Sequence, residues 1–347
     1  MIWATIIVLI GSRFFYSGFF TGANLNILVS QQTPNGLVAI GMTVLLITGA
    51  FDLSAGAILS LAAVIYTNLS NSMPLVLAGA LTLLIGALAG LLNGLIVTKL
   101  RVNAFVATLG TGSAYAGIAL LYTGGQAITA NKASFQTLGN AAWLGIPINI
   151  VLLVLIAALV GFVLARTRFG RSVYAVGGNA EASRLSGIRV DAVRIIAFTF
   201  VGLCAAFGGM VLASSLGVVQ SSVGVNTALD AIAIVIVGGT SLLGGEGAMW
   251  RTACGFLILA SIENVLDALA IQAAWQNIIT GGIIVGAVAL ELAGGKWRNI
   301  SARYSKEMPG EVPDGPQNAV GKHNSPVTST VAEVDDVHSI HSRGGDP

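Results

Sequence analysis

Charge is what this 347-residue chain has least of: Asp, Glu, Lys and Arg make up 9% of it, while hydrophobic residues reach 55%. Ordinary soluble domains carry about 25% charged residues, so a water-soluble surface cannot be built from this composition. Histidine is scarcer still. The three histidines, His323, His338 and His341, all lie close to the C-terminus, so the apolar part has none for a Ser-His-Asp triad or a histidine metal site. Carboxylate chemistry is not excluded by that absence. Only two cysteines occur, Cys204 and Cys254, both within apolar stretches. They offer no disulfide framework and no metal site, and read as small packing residues. A glycine-rich phosphate loop ending in Gly-Lys-Ser/Thr is also missing, so the chain has no ATP-hydrolysing loop of that kind.

What the chain has instead is long uncharged runs. Leu75 to Thr98, Ile148 to Ala165 and Ile195 to Ala213 carry no charge, and each is long enough to cross a hydrocarbon core, which takes ~20 apolar residues. The fold class expected is an all-α polytopic membrane bundle. A consistent reading gives ten spans, near 2–20, 35–48, 55–70, 75–98, 105–122, 148–165, 194–214, 229–243, 249–269 and 275–292. The stretch 2–20 is too long and bulky for a cleaved leader and is taken as the first span. Lys99 and Arg101, the six arginines from Arg166 to Arg194, and Lys296, Arg298, Arg303 and Lys306 then face the cytoplasm, as do both termini. The connection 123–147, with Lys132 as its sole charge, faces out. Beyond residue 295 the sequence turns polar and holds five of the eight prolines. The division expected is a membrane domain over 1–295 and a disordered tail over 296–347.

Small residues and breaks carry most of the remaining information. Ala78, Thr82, Gly86, Gly90 and Gly94 recur every fourth residue on one helix face, a stripe suited to close packing within one subunit, or to a subunit interface. Gly282 and Gly286 repeat it. Turn chemistry interrupts the apolar pattern at 48–56 and 238–247, predicting discontinuous helices there. Irregular backbone at membrane depth persists only when buried in protein or lining a wet cavity, so the paired breaks point to a transport pathway. Its candidate residues are Thr48, Gly49, Asp52, Ser54, Asn93, Thr108, Gly239, Thr240, Glu263 and Asn264. Asp52 has a second reading as a helix cap; Glu263 either lines the pathway or pairs with Arg251; Glu291 reads as a helix-end residue.

The polar connection 166–194 is predicted to hold a short helix: Asn179 as its cap, Glu181 in the favourable first turn, Gly187 closing it. Such a helix suits docking, whereas arginine content alone would equally hold a loop at the lipid headgroups.

Several blocks together resemble the permease subunits of ribose-type ABC importers, within the branched-chain amino acid/ribose permease superfamily. They are Gly41-Met42-Thr43 with Asp52-Leu53-Ser54, Asn93-Gly94 leading to Arg101, Thr108-Leu109-Gly110-Thr111, Gly170-Arg171 through Gly177-Gly178-Asn179 to Gly187, and Gly238-Gly239-Thr240-Ser241-Leu242 with Gly244-Gly245. Ala50, Ala116, Glu246 and Arg251 depart from the family pattern. The resemblance implies a multi-pass protein of the bacterial inner membrane, working as a homodimer by ATP-driven alternating access. It implies a periplasmic solute-binding protein, lipid and no nucleic acid as surroundings, a monosaccharide such as ribose as cargo, and a separate ATPase subunit that binds ATP and Mg. Gly177, Gly178, Asn179, Glu181, Ala182, Ser183, Arg184 and Gly187 would couple to that ATPase, so the chain itself is no enzyme and holds no cofactor. Other solutes handled by related permeases are nucleosides, autoinducers and branched-chain amino acids. The rival classes are an ion-coupled secondary transporter using Asp52 and Glu263, and a membrane-embedded enzyme.

Overall fold

In the computed structural model, residues 1–272, 274–283, 285–286 and 289 are described, all within one contact unit spanning residues 1–298. The tail 296–347, its basic residues, Glu291 and parts of the span expected at 275–292 lie outside the described residues.

Helix α1 (Ile2–Phe15) is followed by a turn in which Phe19 N bonds Tyr16 O and Thr21 N bonds Gly18 O. The first helix therefore stops before residue 20. Helix α2 (Gly22–Ile47) then starts well before the expected position 35, because Thr21 Oγ1 accepts from Asn24 N and caps it. It runs through Pro34, whose missing N–H leaves the Ser30 carbonyl without its helical donor. The fully buried Asn149 answers that loss: its Nδ2 lies 3.5 Å from Ser30 O and its Oδ1 3.2 Å from Ser30 Oγ.

Helices α3 (Ala55–Ser72) and α4 (Leu75–Lys99) are separated by extended Met73 and by Pro74, which disfavours helix at the residue before it. Helix α5 (Ala104–Thr123) starts on Asn103, whose side chain accepts from Phe105 N, and ends at Gly124 in the left-handed region. After a short far-end segment come α7 (Ile148–Arg166), α8 (Arg168–Gly178), α9 (Ala180–Leu185), α10 (Val190–Leu216), α11 (Thr227–Val237) and α12 (Met249–Ala268). Of the described helices, α4, α5, α7 and α10 are long and apolar enough to cross a membrane on their own terms. At 11 residues α11 rises only about 16 Å, half a bilayer core, so the span expected at 229–243 is a half-helix ending at Val237.

Helix α10 is the centre of the bundle: 61% of its most apolar stretch is buried, against 22–33% for the other three long helices. It packs on α2, α3 and α4. The stripe Ala78, Thr82, Gly86, Gly90 and Gly94 is buried, and its three glycines lie against Gly202, Phe198 and Ile195 of α10, so the stripe serves packing inside the subunit. Buried Cys204 sits in the same layer, against Gly41 of α2.

The connection 123–147 is folded rather than a bare loop. Strand β1 (Ile128–Thr129) pairs antiparallel with β4 (Val218–Val219), and a 3-10 turn (Ala133–Gln136) and α6 (Thr137–Asn140) follow β1. Strands β2 (Ala142–Trp143) and β3 (Ile146–Pro147) form a hairpin whose central residues, Leu144 and Gly145, both have positive φ, as a two-residue hairpin turn requires. Ser214 Oγ of α10 donates to Phe135 O and accepts from Gly139 N, pinning this cap to the bundle. Lys132 Nζ donates to Met73 O at 2.7 Å, placing its charge on the C-terminal end of α3, where a cation is favoured.

Candidate functional site

The first break in the chain is held by a buried polar knot. Thr48 ends α2, its Oγ1 donating to Leu45 O at 2.7 Å, and Gly49 turns the chain at φ +78°. Asp52 is fully buried and accepts from Ser54 N (2.8 Å), Ser54 Oγ (2.6 Å) and Asn93 Nδ2 (3.1 Å). Asn93 Nδ2 also reaches Ser54 Oγ at 2.7 Å, and Leu53 N donates to Thr108 Oγ1 at 3.1 Å. Tyr115 closes the knot, its hydroxyl 3.0 Å from Ala89 O and 3.4 Å from Asn93 Oδ1. A buried carboxylate is costly unless its lone pairs are matched by donors. Three donors at this spacing match it and tie the start of α3 to α4 and α5. Six of the ten candidate pathway residues, Thr48, Gly49, Asp52, Ser54, Asn93 and Thr108, thus belong to one region.

The second break folds onto the first. Gly239, Gly244 and Gly245 all have φ between +77° and +89°, a conformation that glycine adopts at little steric cost. Gly245 N donates to Ile47 O, the last carbonyl of α2, at 2.8 Å. Gly244 lies so close to Gly49 that an added Cβ would stand 2.8 Å from the Gly49 Cα and N. Helix α8 enters the same junction from the polar connection. A Cβ on Gly177 would run into both Ile47 O and Gly245 N, and Tyr174 Oη donates to Gly247 O at 2.9 Å. Burial pushes the Tyr174 phenol above its ordinary pKa, with Arg251 acting in the opposite direction. Thr240 is fully buried in this turn, and its Oγ1 has no hydrogen-bond partner among the described residues.

Glu263 and Asn264 sit in a separate network on α12. Gln32 Nε2 donates to Glu263 Oε2, and Asn264 exchanges a reciprocal amide pair with Asn24 at 2.9 and 3.1 Å. The alternative pairing of Glu263 with Arg251 is not formed. The two are 12 residues apart on one helix, about 18 Å along its axis, and the Arg251 guanidinium donates to Gly239 O and lies over the Trp250 ring.

In the connection 166–194, Asn179 Oδ1 accepts from Ala182 N at 2.9 Å, Glu181 lies in the first turn of α9, and Gly187 at φ +83° follows its end. Ser183 is buried, while Glu181, Ala182, Arg184 and Gly187 are exposed. Sequence reasoning missed α8, which precedes this helix and buries Gly170, Val173 and Val176. Its signal was available in the helical spacing of Phe169, Val173 and Val176. It also missed Asn24, Gln32 and Tyr115, polar groups inside apolar helices that the cost of burying them should have flagged.

These features define a polytopic helical membrane permease whose two chain breaks are joined to a short helix, α8, outside the long spans. The chain belongs to the family described as the branched-chain amino acid transport system permease component, whose model matches residues 24–288. Its relatives include the ribose import permease protein RbsC of Haemophilus influenzae, 38% identical over 275 residues that cover 78% of this chain and 85% of that protein. RbsC of Bacillus subtilis is 39% identical, covering 77% and 84%. The autoinducer 2 import system permease protein LsrC of Escherichia coli K12 is 39% identical, covering 74% and 75%. No solved structure matches the chain.

Proposed function

We propose that this chain is the membrane-spanning subunit of an ATP-driven importer for a monosaccharide such as ribose. In this reading it works as a pair of copies in the bacterial inner membrane, with about ten spans, both termini in the cytoplasm, and residues 296–347 as a polar extension of the permease domain. A periplasmic binding protein delivers the solute. A separate ATPase subunit binds ATP and Mg and hydrolyses the nucleotide. Ribose comes from the similarity to the two RbsC relatives.

The single observation that carries the coupling is the glycine junction. Helix α8 touches the end of α2 and the second break at once, through Gly177 against Ile47 O and Gly245 N and through the Tyr174 hydroxyl on Gly247 O. A push on α9 from an ATPase groove, received by Asn179, Glu181, Ala182, Ser183, Arg184 and Gly187, would therefore reach both breaks through Gly178 and Gly177. Rotation about the positive-φ glycines then changes the width of the pathway between the two copies, which Thr48, Gly49, Asp52, Ser54, Asn93, Thr108, Gly239, Thr240, Glu263 and Asn264 border in this mechanism.

The deciding experiment is uptake into proteoliposomes holding this chain with its ATPase and binding protein, with and without internal ATP, across pentoses, hexoses, nucleosides and branched-chain amino acids. ATP-dependent accumulation of a pentose is the expected result. Accumulation of an amino acid or nucleoside instead would move the cargo within the same class of importer. Accumulation driven by an ion gradient without ATP would replace the importer with a secondary transporter.

A further inference from the structure

A cavity of about 420 Å³ opens beside the first break, where Gly49, Ala50 and Phe51, the α4–α5 turn, the end of α9 and the start of α10 meet. Its lining includes three arginines, Arg101, Arg184 and Arg194, and one acid, Asp191. That carboxylate is already shared: Lys99 Nζ lies 3.4 Å from one of its oxygens and Arg184 3.3 Å from the other. Three arginines and one acid therefore line the cavity, and Lys99, outside the lining, also engages that acid. Arg194 is the least exposed of the three arginines. Its terminal nitrogen reaches Thr48 O only at 3.5 Å, and its buried Nε has no hydrogen-bond partner among the described residues. Arginine cannot relieve such a deficit by losing its proton, so this side chain keeps its charge beside the cavity with few protein acceptors.

We propose that this cavity binds a phosphate-class oxyanion held by Arg101, Arg184 and Arg194. Guanidinium forks match tetrahedral oxyanions through paired, charge-assisted hydrogen bonds, and three arginines line this one cavity. The same chemistry is offered by the phosphodiester of an anionic lipid headgroup and by a free phosphate in solution. Basic pockets between helices at a membrane face are suited to the former. An anion seated in the cavity ties α9 and the start of α10 to the first break, so its presence stiffens the connection between the docking helix and the pathway. The site is built from this chain's own residues, whichever solute is carried.

The test uses the full chain in nanodiscs. In one arm, phosphatidylcholine discs are titrated with inorganic phosphate at constant ionic strength and binding is read by phosphorus NMR. In the other, retention of phosphatidylglycerol over phosphatidylcholine is read by native mass spectrometry. Arg101 and Arg184 are exposed, so Arg101→Gln and Arg184→Gln leave the core untouched, and Arg168→Gln, outside the cavity, is the control. Saturable phosphate binding weakened about tenfold in both cavity variants and not in the control establishes a soluble phosphate ligand. Selective phosphatidylglycerol retention lost in the same pattern establishes a headgroup. Absence of both signals in the wild-type chain, or signals equal in cavity variants and control, overturns the proposal.

Discussion

Replacing Gly177 with alanine is the sharpest perturbation of the junction. The added Cβ runs into Ile47 O and Gly245 N, the two ends of a 2.8 Å hydrogen bond that joins α2 to the second break. Overpacking at such a site costs about 1–3 kcal/mol, and the displaced hydrogen bond about 1 kcal/mol more. The contact between α8 and the two breaks should therefore weaken by about 2–4 kcal/mol, roughly 30- to 1000-fold in its closed population. In proteoliposomes with the ATPase and binding protein, solute moved per ATP hydrolysed should fall at least ~10-fold while ATP hydrolysis continues. Gly178 offers the steric comparison, because a Cβ there meets nothing within 4 Å. In detergent, Gly178→Ala should keep the wild-type melting temperature and Gly177→Ala should lower it by roughly 5 °C. A Gly177→Ala protein with wild-type melting and wild-type transport per ATP would refute the reasoning, since the backbone would then have moved aside at no cost.

Three further outcomes follow from the hydrogen-bond networks. Asp52→Ala strips the acceptor from Ser54 N and Asn93 Nδ2 and should cost about 3 kcal/mol; adding Asn93→Ala should cost much less than its effect alone, and strict additivity of the two melting shifts would argue against the network. Asn149→Ala should destabilise by about 1–2 kcal/mol by abandoning Ser30 O, and Pro34→Ala should recover part of that loss by restoring a helical donor to the same carbonyl; thermal melts of the double variant that show no recovery count against this role. Glu263→Gln keeps an acceptor for Gln32 while removing the charge, so ATP-driven uptake should persist; loss of uptake together with loss of a proton or sodium dependence would support ion coupling instead.

How much of this was legible in the sequence depended on whether a residue's partner lay nearby along the chain. The cap of α9 by Asn179, its close at Gly187 and the two interruptions are local events, written in residues a few positions apart. The start of α2 was misplaced because Gln31, Gln32, Pro34 and Asn35 look like a loop when read alone. Glu263, more than 200 positions away, accepts from Gln32, while Asn149 bonds Ser30 and Asn264 pairs with Asn24, so the helix is held by partners that no local reading shows. The stretch from Val218 to Asn226 was similarly opaque. Its turns are anchored by Ile128 pairing with Val219 and by Ser60 Oγ accepting from Gly224 N, neither of which short-range periodicity reports. The convergence of Gly49, Gly177 and Gly244 was beyond reach for the same reason: each glycine is intelligible as a turn or helix-end residue, and nothing local says that the three share one point.

The seam between α4 and α10 bears on what can move. A Cβ on Gly202 would run into the Gly86 carbonyl, and one on Gly90 into the Phe198 carbonyl, so backbone meets backbone along several turns. Two helices meshed that closely have no slack for sliding past one another, and act as the keel of the subunit. If the permease alternates between inward and outward openings as proposed, this pair would stay rigid while the remaining helices swing about it. A covalent staple across the keel would be silent in transport, whereas one between the keel and the second break would jam it.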